Sequence, residues 1–309
     1  MSGSLYEHAL ALHREFPGEP LPRDGYPFPD EDRHRATSRR LRKRGHSPRK
    51  IGADVASALD EHFSAKKASP AGLARTLADL DVPIHHNDHI AAAALRAKRS
   101  EVRRTGRWLV RHSDNRRAAV VGLALLAAGY DERDIPLIQT IGLLSNHFGP
   151  LAADALARRR GGTEALTWLG DRVSGWGRVY VVEALCKSSL ARDWLLRHAC
   201  DGDFLNAYFA AQAATASHLL LAIGADDADE AIVDHTGRLL NVLTWSKGMS
   251  EDLWNYPPAA ALVEAYTRHV TRLPLTDVRQ RHRTQLAEAL RKVPLIGLDT
   301  SAVTTALLG

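Results

Sequence analysis

Trp108 to Gly129 reads WLVRHSDNRRAAVVGLALLAAG, and Gly142 to Gly162 reads GLLSNHFGPLAADALARRRGG. The two stretches align at an offset of 33 residues, which places Leu123 on Leu156 and Gly129 on Gly162. RVSGWGRVYVVEALCK (172–187) follows at an offset of 29, with Leu144 on Val173 and Leu156 on Leu185. HACDGDFLNAYFAAQ (198–212) follows at an offset of 26. Each copy ends one helix, turns through a few small or polar residues, and starts an Ala-rich second helix. A helix pair of this size cannot bury its apolar face alone, whereas stacked pairs share a continuous core. The expected fold is therefore all-α, an α-solenoid of antiparallel helix pairs. Ala118, Ala119, Ala152, Ala153, Ala155, Ala210 and Ala211 would let neighbouring helices approach closely. An irregular bundle of Ala-rich helices is the alternative architecture.

Outward from the repeat, helical periodicity continues in both directions. Ile51, Val55, Leu59 and Phe63 recur at i, i+4 spacing on one helix face. Ser69-Pro70 and Asn87-Asp88 read as helix starts, Gly129 and Gly161-Gly162 as stops. ADDADEAIVDHTGRLLNVL (225–243) opens with acids that complement a helix N-terminus, and Asn255-Tyr256-Pro257-Pro258 breaks the chain before another helix. Residues 1–50 differ. Five of the fourteen prolines fall between Pro17 and Pro29, which favours extended geometry over helix. A basic run then ends at Gly45 and Pro48. The expected organisation is a proline-rich, basic arm over 1–50, docked through Tyr26 and Phe28, repeats over 51–225, and a helical cap over 226–309.

The chain has 309 residues and a formal charge of +5, an average that hides strong segregation. Arg33–Lys50 holds nine Lys/Arg and no acid, and Arg96–Arg117 holds nine against Glu101 and Asp114. Elsewhere 23 basic residues face 34 acidic ones. Clustered positive charge in an otherwise acidic chain points to a polyanion or an acidic partner surface. Two cysteines, Cys186 and Cys200, are too few for a disulfide framework and read as buried thiols of a reducing compartment. The N-terminus lacks the basic and apolar regions of a secretory signal, and no apolar run approaches membrane-spanning length. A soluble cytoplasmic protein without membrane contact is expected.

Over residues 70–215 the chain resembles the HEAT-like helical-repeat superfamily. Within it, Trp108-Leu109 followed by Ser113-Asp114-Asn115-Arg116-Arg117-Ala118-Ala119 is similar to a turn-and-helix start of the HEAT-like alkylpurine DNA glycosylases. That resemblance implies a basic concave face for duplex DNA, Trp side chains against a lesion, and a catalytic Asp about one turn before the motif. Arg104, Thr105, Gly106 and Arg107 occupy that place, with no carboxylate. Asp114, Asp154 and Asp171 are the nearby alternatives.

If 88–111 is one helix, Arg96, Arg99, Arg103, Arg107 and Arg111 form a ladder along one face, while Leu95, Val102 and Leu109 pack on another. Arg116 and Arg117 would open the next helix beside it. Guanidinium groups so spaced can meet successive phosphates; the competing assignment pairs them with acids of adjacent repeats. Trp108 and Trp176 are the aromatic candidates for a partner surface, and Trp176, between Gly175 and Gly177, is the better exposed. His85, His86, Asp88 and His89 form the one dense cluster of metal-capable side chains. A site there needs a distant ligand such as His112 or His147; otherwise Asn87 or Asp88 merely caps a helix. No GxGxxG, Walker A, GxSxG, HExxH or CxxC motif is present, so no cofactor is expected. These observations favour a non-catalytic binding protein whose partner is a protein or nucleic acid. A repair-type DNA-binding enzyme and a metal-dependent enzyme are the alternatives.

Overall fold

In the computed structural model, which describes residues 3–44 and 51–309, side-chain caps mark several helix starts. Ser4 accepts from the Glu7 main chain while Glu7 reaches back to the Ser4 N–H, closing a capping box on α1 (Leu5–Glu15). Ser69 caps α4 (Pro70–Leu77), Asn87 caps α5 (Asp88–Arg96) and Asn115 caps α7 (Arg116–Ala127). Gly161, at φ +73°, supplies the left-handed residue before α10 (Gly162–Gly170). The remaining helices of residues 1–184 are α2 (Glu31–Arg44), α3 (Ala53–Ser64), α6 (Arg99–His112), α8 (Ile135–Gly142), α9 (Ser145–Ala157) and α11 (Gly175–Leu185). Residues 185–309 contain α12 (Arg192–His198), α13 (Ala210–Ala216), α14 (Leu219–Gly224), α15 (Glu230–Leu243), α16 (Ala259–Val270), α17 (Asp277–Lys292) and α18 (Thr300–Leu308). The protein is all-α: among the described residues no strand forms beyond one isolated bridge, Lys247 to Ser250. No described helix is long and apolar enough to cross a membrane.

The chain forms two compact units, Met1–Ala184 and Leu185–Gly309. In the first, α3 packs on α5, α5 on α7 and α7 on α9, while α4 packs on α6, α6 on α8 and α8 on α10. The two rows are joined where α3 meets α4, α6 meets α7, and α9 meets α8 and α10. The core beneath them includes Val55, Leu59, Leu77, Ile90, Leu109 and Val121. Leu123 and Leu156, which the sequence alignment superimposes, are both sealed from solvent. α6 and α7 approach especially closely. A Cβ on Gly122 would lie 2.7 Å from the Leu109 Cβ and 2.9 Å from the Gly106 carbonyl oxygen.

The described part of the expected N-terminal arm belongs to this first unit. α1 packs on α6 and α8, and the main-chain N–H of Leu5 donates to the Ser113 carbonyl at 3.1 Å. Phe28 is buried against Tyr26, His147 and Phe148. The basic run is helical through Arg44; Gly45, Pro48 and the rest of residues 45–50 lie outside the described residues.

The second unit is organised around α15, which touches α12, α13, α14, α16 and α17. Leu239, Leu240 and Leu243 of α15 are buried, as are Leu262 and Tyr266 of α16 and Leu286 of α17. Within the stretch 198–212 a 3-10 turn, Phe204–Tyr208, separates α12 from α13. Cys200 is buried, as expected, but Cys186 is only partly so.

A basic cleft along helix α6

The helix expected over 88–111 is two helices. Ala97 and Lys98 are extended, at ψ 164° and 126°, so Arg96 ends α5 while Arg99, Arg103, Arg107 and Arg111 belong to α6. The break also removes Leu95 from the apolar face. Val102 and Leu109 are buried, but Leu95 is 76% exposed.

α6 buries Val102, Thr105, Gly106, Leu109 and Val110. Its other side forms the floor of a cleft of about 1060 Å³ whose lining includes Arg103, Arg104, Arg107, Trp108, Arg111 and His112. Ser69 and Pro70, at the start of α4, line it too, as do Arg133, Asp134 and Leu137 at the start of α8. Two helix N-termini, each the positive end of a helix dipole, therefore border a surface with five arginines and one carboxylate.

The arginines divide by partner. Arg103 pairs with Asp131 and, at 3.5 Å, with Asp134; Arg107 pairs with Asp134. Arg133 grips Asp131 through Nε and Nη2 at 2.9 and 2.8 Å. The hydrogen bonds from Arg133, and then the charge of Arg103, hold the Asp131 carboxyl well below the usual carboxylate range. Beneath them, Arg159 is sealed from solvent. It donates to the carbonyls of Ala155, of Leu126 at 2.8 Å and of Asp131 at 3.1 Å, and its Nη2 lies 3.8 Å from Asp134. Arg104 makes no ion pair among the described residues, nor does Arg111, whose guanidinium lies 5.8 Å from the Tyr6 ring centroid. Trp108 packs one side against the core and the other into the cleft, 5.3 Å from the His112 ring.

A second hollow, of about 560 Å³, shares Ser100, Arg103 and Asp134 with the first. Arg99 lines it beside Leu95 and Tyr130, and also makes no ion pair among the described residues.

The other expected site residues are placed elsewhere. Arg96 is held bidentately by Asp60, at 3.1 and 2.6 Å. Neither Arg116 nor Arg117 lines this cleft: both are buried, Arg116 on Asp30 and Glu31, Arg117 on the Ser38 hydroxyl. Trp176 is 38% exposed and stacks on Tyr180 at 6.0 Å, but does not line the cleft. His85 rests against the edge of Tyr180, and His86 Nε2 is 3.3 Å from Asp88, both exposed. Asn87 caps α5 from between them. His112 lies beside Trp108, and His147 beside Phe28 and His34. Among the described residues no three His, Cys, Asp or Glu side chains gather to hold a metal ion. The distant ligand that the metal-dependent alternative requires does not join the histidine cluster among the described residues.

Of the carboxylates considered for catalysis, Asp114 pairs with Arg33 at 3.0 Å on the surface, and neither it, Asp154 nor Asp171 lines the cleft. The carboxylate that does, Asp134, was not among the expected site residues, nor were Arg104 and Arg133. Arg104 carries a local signal, since it stands at i, i+4 and i+7 with Trp108 and Arg111. Asp134 and Arg133 join the site only through the packing of α8 on α6. No family model, curated protein or solved structure matches this chain.

Proposed function

We propose that residues 1–184 are a helical-repeat module that binds a polyanion without bond chemistry, and that a nucleic-acid backbone lies in the cleft along α6. The observation that carries this reading is the cleft lining: five arginines, a partly buried Trp108 and one carboxylate. Arg104 and Arg111 bring charge to it without an ion pair among the described residues, and stand about 10 Å apart along the helix axis, far enough to meet two separate phosphates. Arg103, Arg107 and Arg133 are oriented by Asp131 and Asp134, which holds their planar forks in fixed positions. The engagement of Asp134 by Arg103 and Arg107 favours binding over base excision, because a general base must be available to a reacting group.

The packing order of α3, α5, α7 and α9 beside α4, α6, α8 and α10 supports a two-layer stack of helix pairs, with α6 in the ligand-bearing layer. A cytoplasmic setting is part of the same proposal. The experiment is retention on immobilised nucleic acid over a salt series. Wild type should elute at clearly higher salt than Arg104→Glu/Arg111→Glu. Equal elution at low salt would refute the proposal, and capture by an acidic polypeptide but not by nucleic acid would transfer the cleft to a protein partner.

A further inference from the structure

A third cavity, of about 280 Å³, lies apart from the cleft among side chains of α2, α7 and α9. Its polar lining comprises His34, Ser38, Arg42, Asp81, Arg117 and His147. Arg117 is 5% exposed. Its Nη2 donates to the Ser38 hydroxyl at 2.8 Å, but its Nη1 is buried without an acceptor. Three carboxylates send charge to Arg117 without accepting a hydrogen bond from it: Asp30 is occupied by both the main chain and Nε of Arg116, Asp79 pairs with Arg40, and Asp81 lines the cavity. His34 is in the same position as Arg117: Nε2 lies 3.3 Å from the Ser38 hydroxyl, and Nδ1 is buried without a partner. The His34 and His147 rings meet edge to face at 5.9 Å. Buried polar groups left unmet are costly, more so on a charged group, so a cavity bordered by two of them, Arg117 Nη1 and the His34 Nδ1 that donates when Nε2 accepts from Ser38, is suited to an acceptor.

The acceptor's chemistry follows from the lining. It must be anionic to answer a guanidinium, small enough for the cavity, and able to accept bonds from several directions at once. A tetrahedral oxyanion satisfies all three conditions, and guanidinium forks suit it well. We propose that this cavity is a binding site for a small tetrahedral oxyanion of the phosphate class, held by Arg117, Ser38 and His34 with His147 behind them.

The site couples to pH through its histidines. Without a ligand, burial and then the charge of Arg116 hold His34 down to about 4 and His147 down to about 3. The charges around them are Arg42, Asp30 and Glu31 from the α2 side, Arg116 and Arg117 from α7, and Asp81 from the segment before α5. An added anion favours the imidazolium forms, raising both pKa values, so binding strengthens as pH falls. Sulfate, whose charge is constant across this range, separates that effect from the protonation of phosphate itself.

The experiment is calorimetric titration of the full chain with sodium sulfate and with inorganic phosphate, together with NMR pH titration of the two imidazoles. The expected result is saturable one-to-one binding, with both histidine pKa values raised by about one unit or more. Arg117→Gln should weaken binding at least about ten-fold. Ser38→Ala and His34→Gln, on the more accessible α2 side, should weaken it while leaving the circular dichroism spectrum intact. Neither anion moving the imidazole resonances would overturn the site and leave a water-filled cavity. Binding abolished by Arg104→Ala/Arg111→Ala but not by Arg117→Gln would also overturn it, by assigning the anion to the cleft.

Discussion

Asp30 and Arg116 are 86 residues apart in sequence and form one buried ion pair: Arg116 Nε donates to Asp30 Oδ1 and its main-chain N–H to Oδ2, both at 2.8 Å. Glu31 completes the arrangement on Nη2 at 2.7 Å. The guanidinium also lies 4.7 Å from the Phe28 ring centroid. The proline-rich segment is thereby fixed to the start of α7. Removing one partner of such a pair strands the other charge in the interior. Asp30→Ala should destabilise the first unit by about 3–5 kcal/mol, measured as a shift in urea unfolding. The double variant Asp30→Leu/Arg116→Met should recover a large part of that loss.

Stability should fall on mild acidification. His147 is held neutral in the folded protein, down to about 3, whereas the unfolded chain takes up a proton near 6.5. Between those values the unfolded state binds more protons, so the contribution is fully present above 6.5 and is lost as pH drops. In buffer free of phosphate and sulfate, unfolding free energy at pH 5 should be about 2 kcal/mol below its value at pH 7 through His147. His34 adds to the same slope in the same direction, by less, because it is partly solvated. His147→Gln should flatten the pH profile of the midpoint.

The α6–α7 contact leaves no room for a methyl group at Gly122. Gly122→Ala should cost about 1–3 kcal/mol of stability through overpacking, despite the better helix propensity of alanine. Thermal unfolding reads this directly. An unchanged midpoint would mean that α6 and α7 are further apart than the 2.7 Å between these Cβ positions implies.

In the second unit Arg279, at the start of α17, is held by Asp234 through Nε at 2.6 Å and Nη2 at 3.0 Å, and by Glu230 at 2.8 Å. These bonds push the guanidinium pKa further up. Arg279→Ala should lower the stability of that unit by about 1.5–3 kcal/mol, the range for hydrogen bonds to charged groups. Asp234→Asn should cost less, because Glu230 still answers the guanidinium.

The all-α class was legible because its signals are local. The i, i+4 face of α3 is buried at Val55 and Leu59, and Ser69 and Asn87 cap the helices they were expected to start. The break between α5 and α6 was not legible, since neither Ala97 nor Lys98 is a breaker; tertiary packing overrides propensity there. The burial of Arg116 and Arg117 was not legible for a related reason. Their partners Asp30, Glu31 and Ser38 come from a segment about eighty residues earlier, and no local pattern reports a buried ion pair of that separation. Half of the cleft was visible as the arginines and Trp108 of one helix. The other half, Arg133 and Asp134, depends on α8 lying beside α6.

The central claim concerns charge in the cleft, and the salt dependence of nucleic-acid affinity tests it most directly. Affinity for a fluorescent duplex is measured by anisotropy at several salt concentrations, for wild type and for Arg104→Ala/Arg111→Ala. Each phosphate that an arginine no longer neutralises should reduce the slope of log affinity against log salt by about 0.9. The double variant should therefore bind more weakly, with a slope smaller by about 2. Equal slopes for the two proteins, or no measurable wild-type binding at low salt, would contradict a polyanion site along α6.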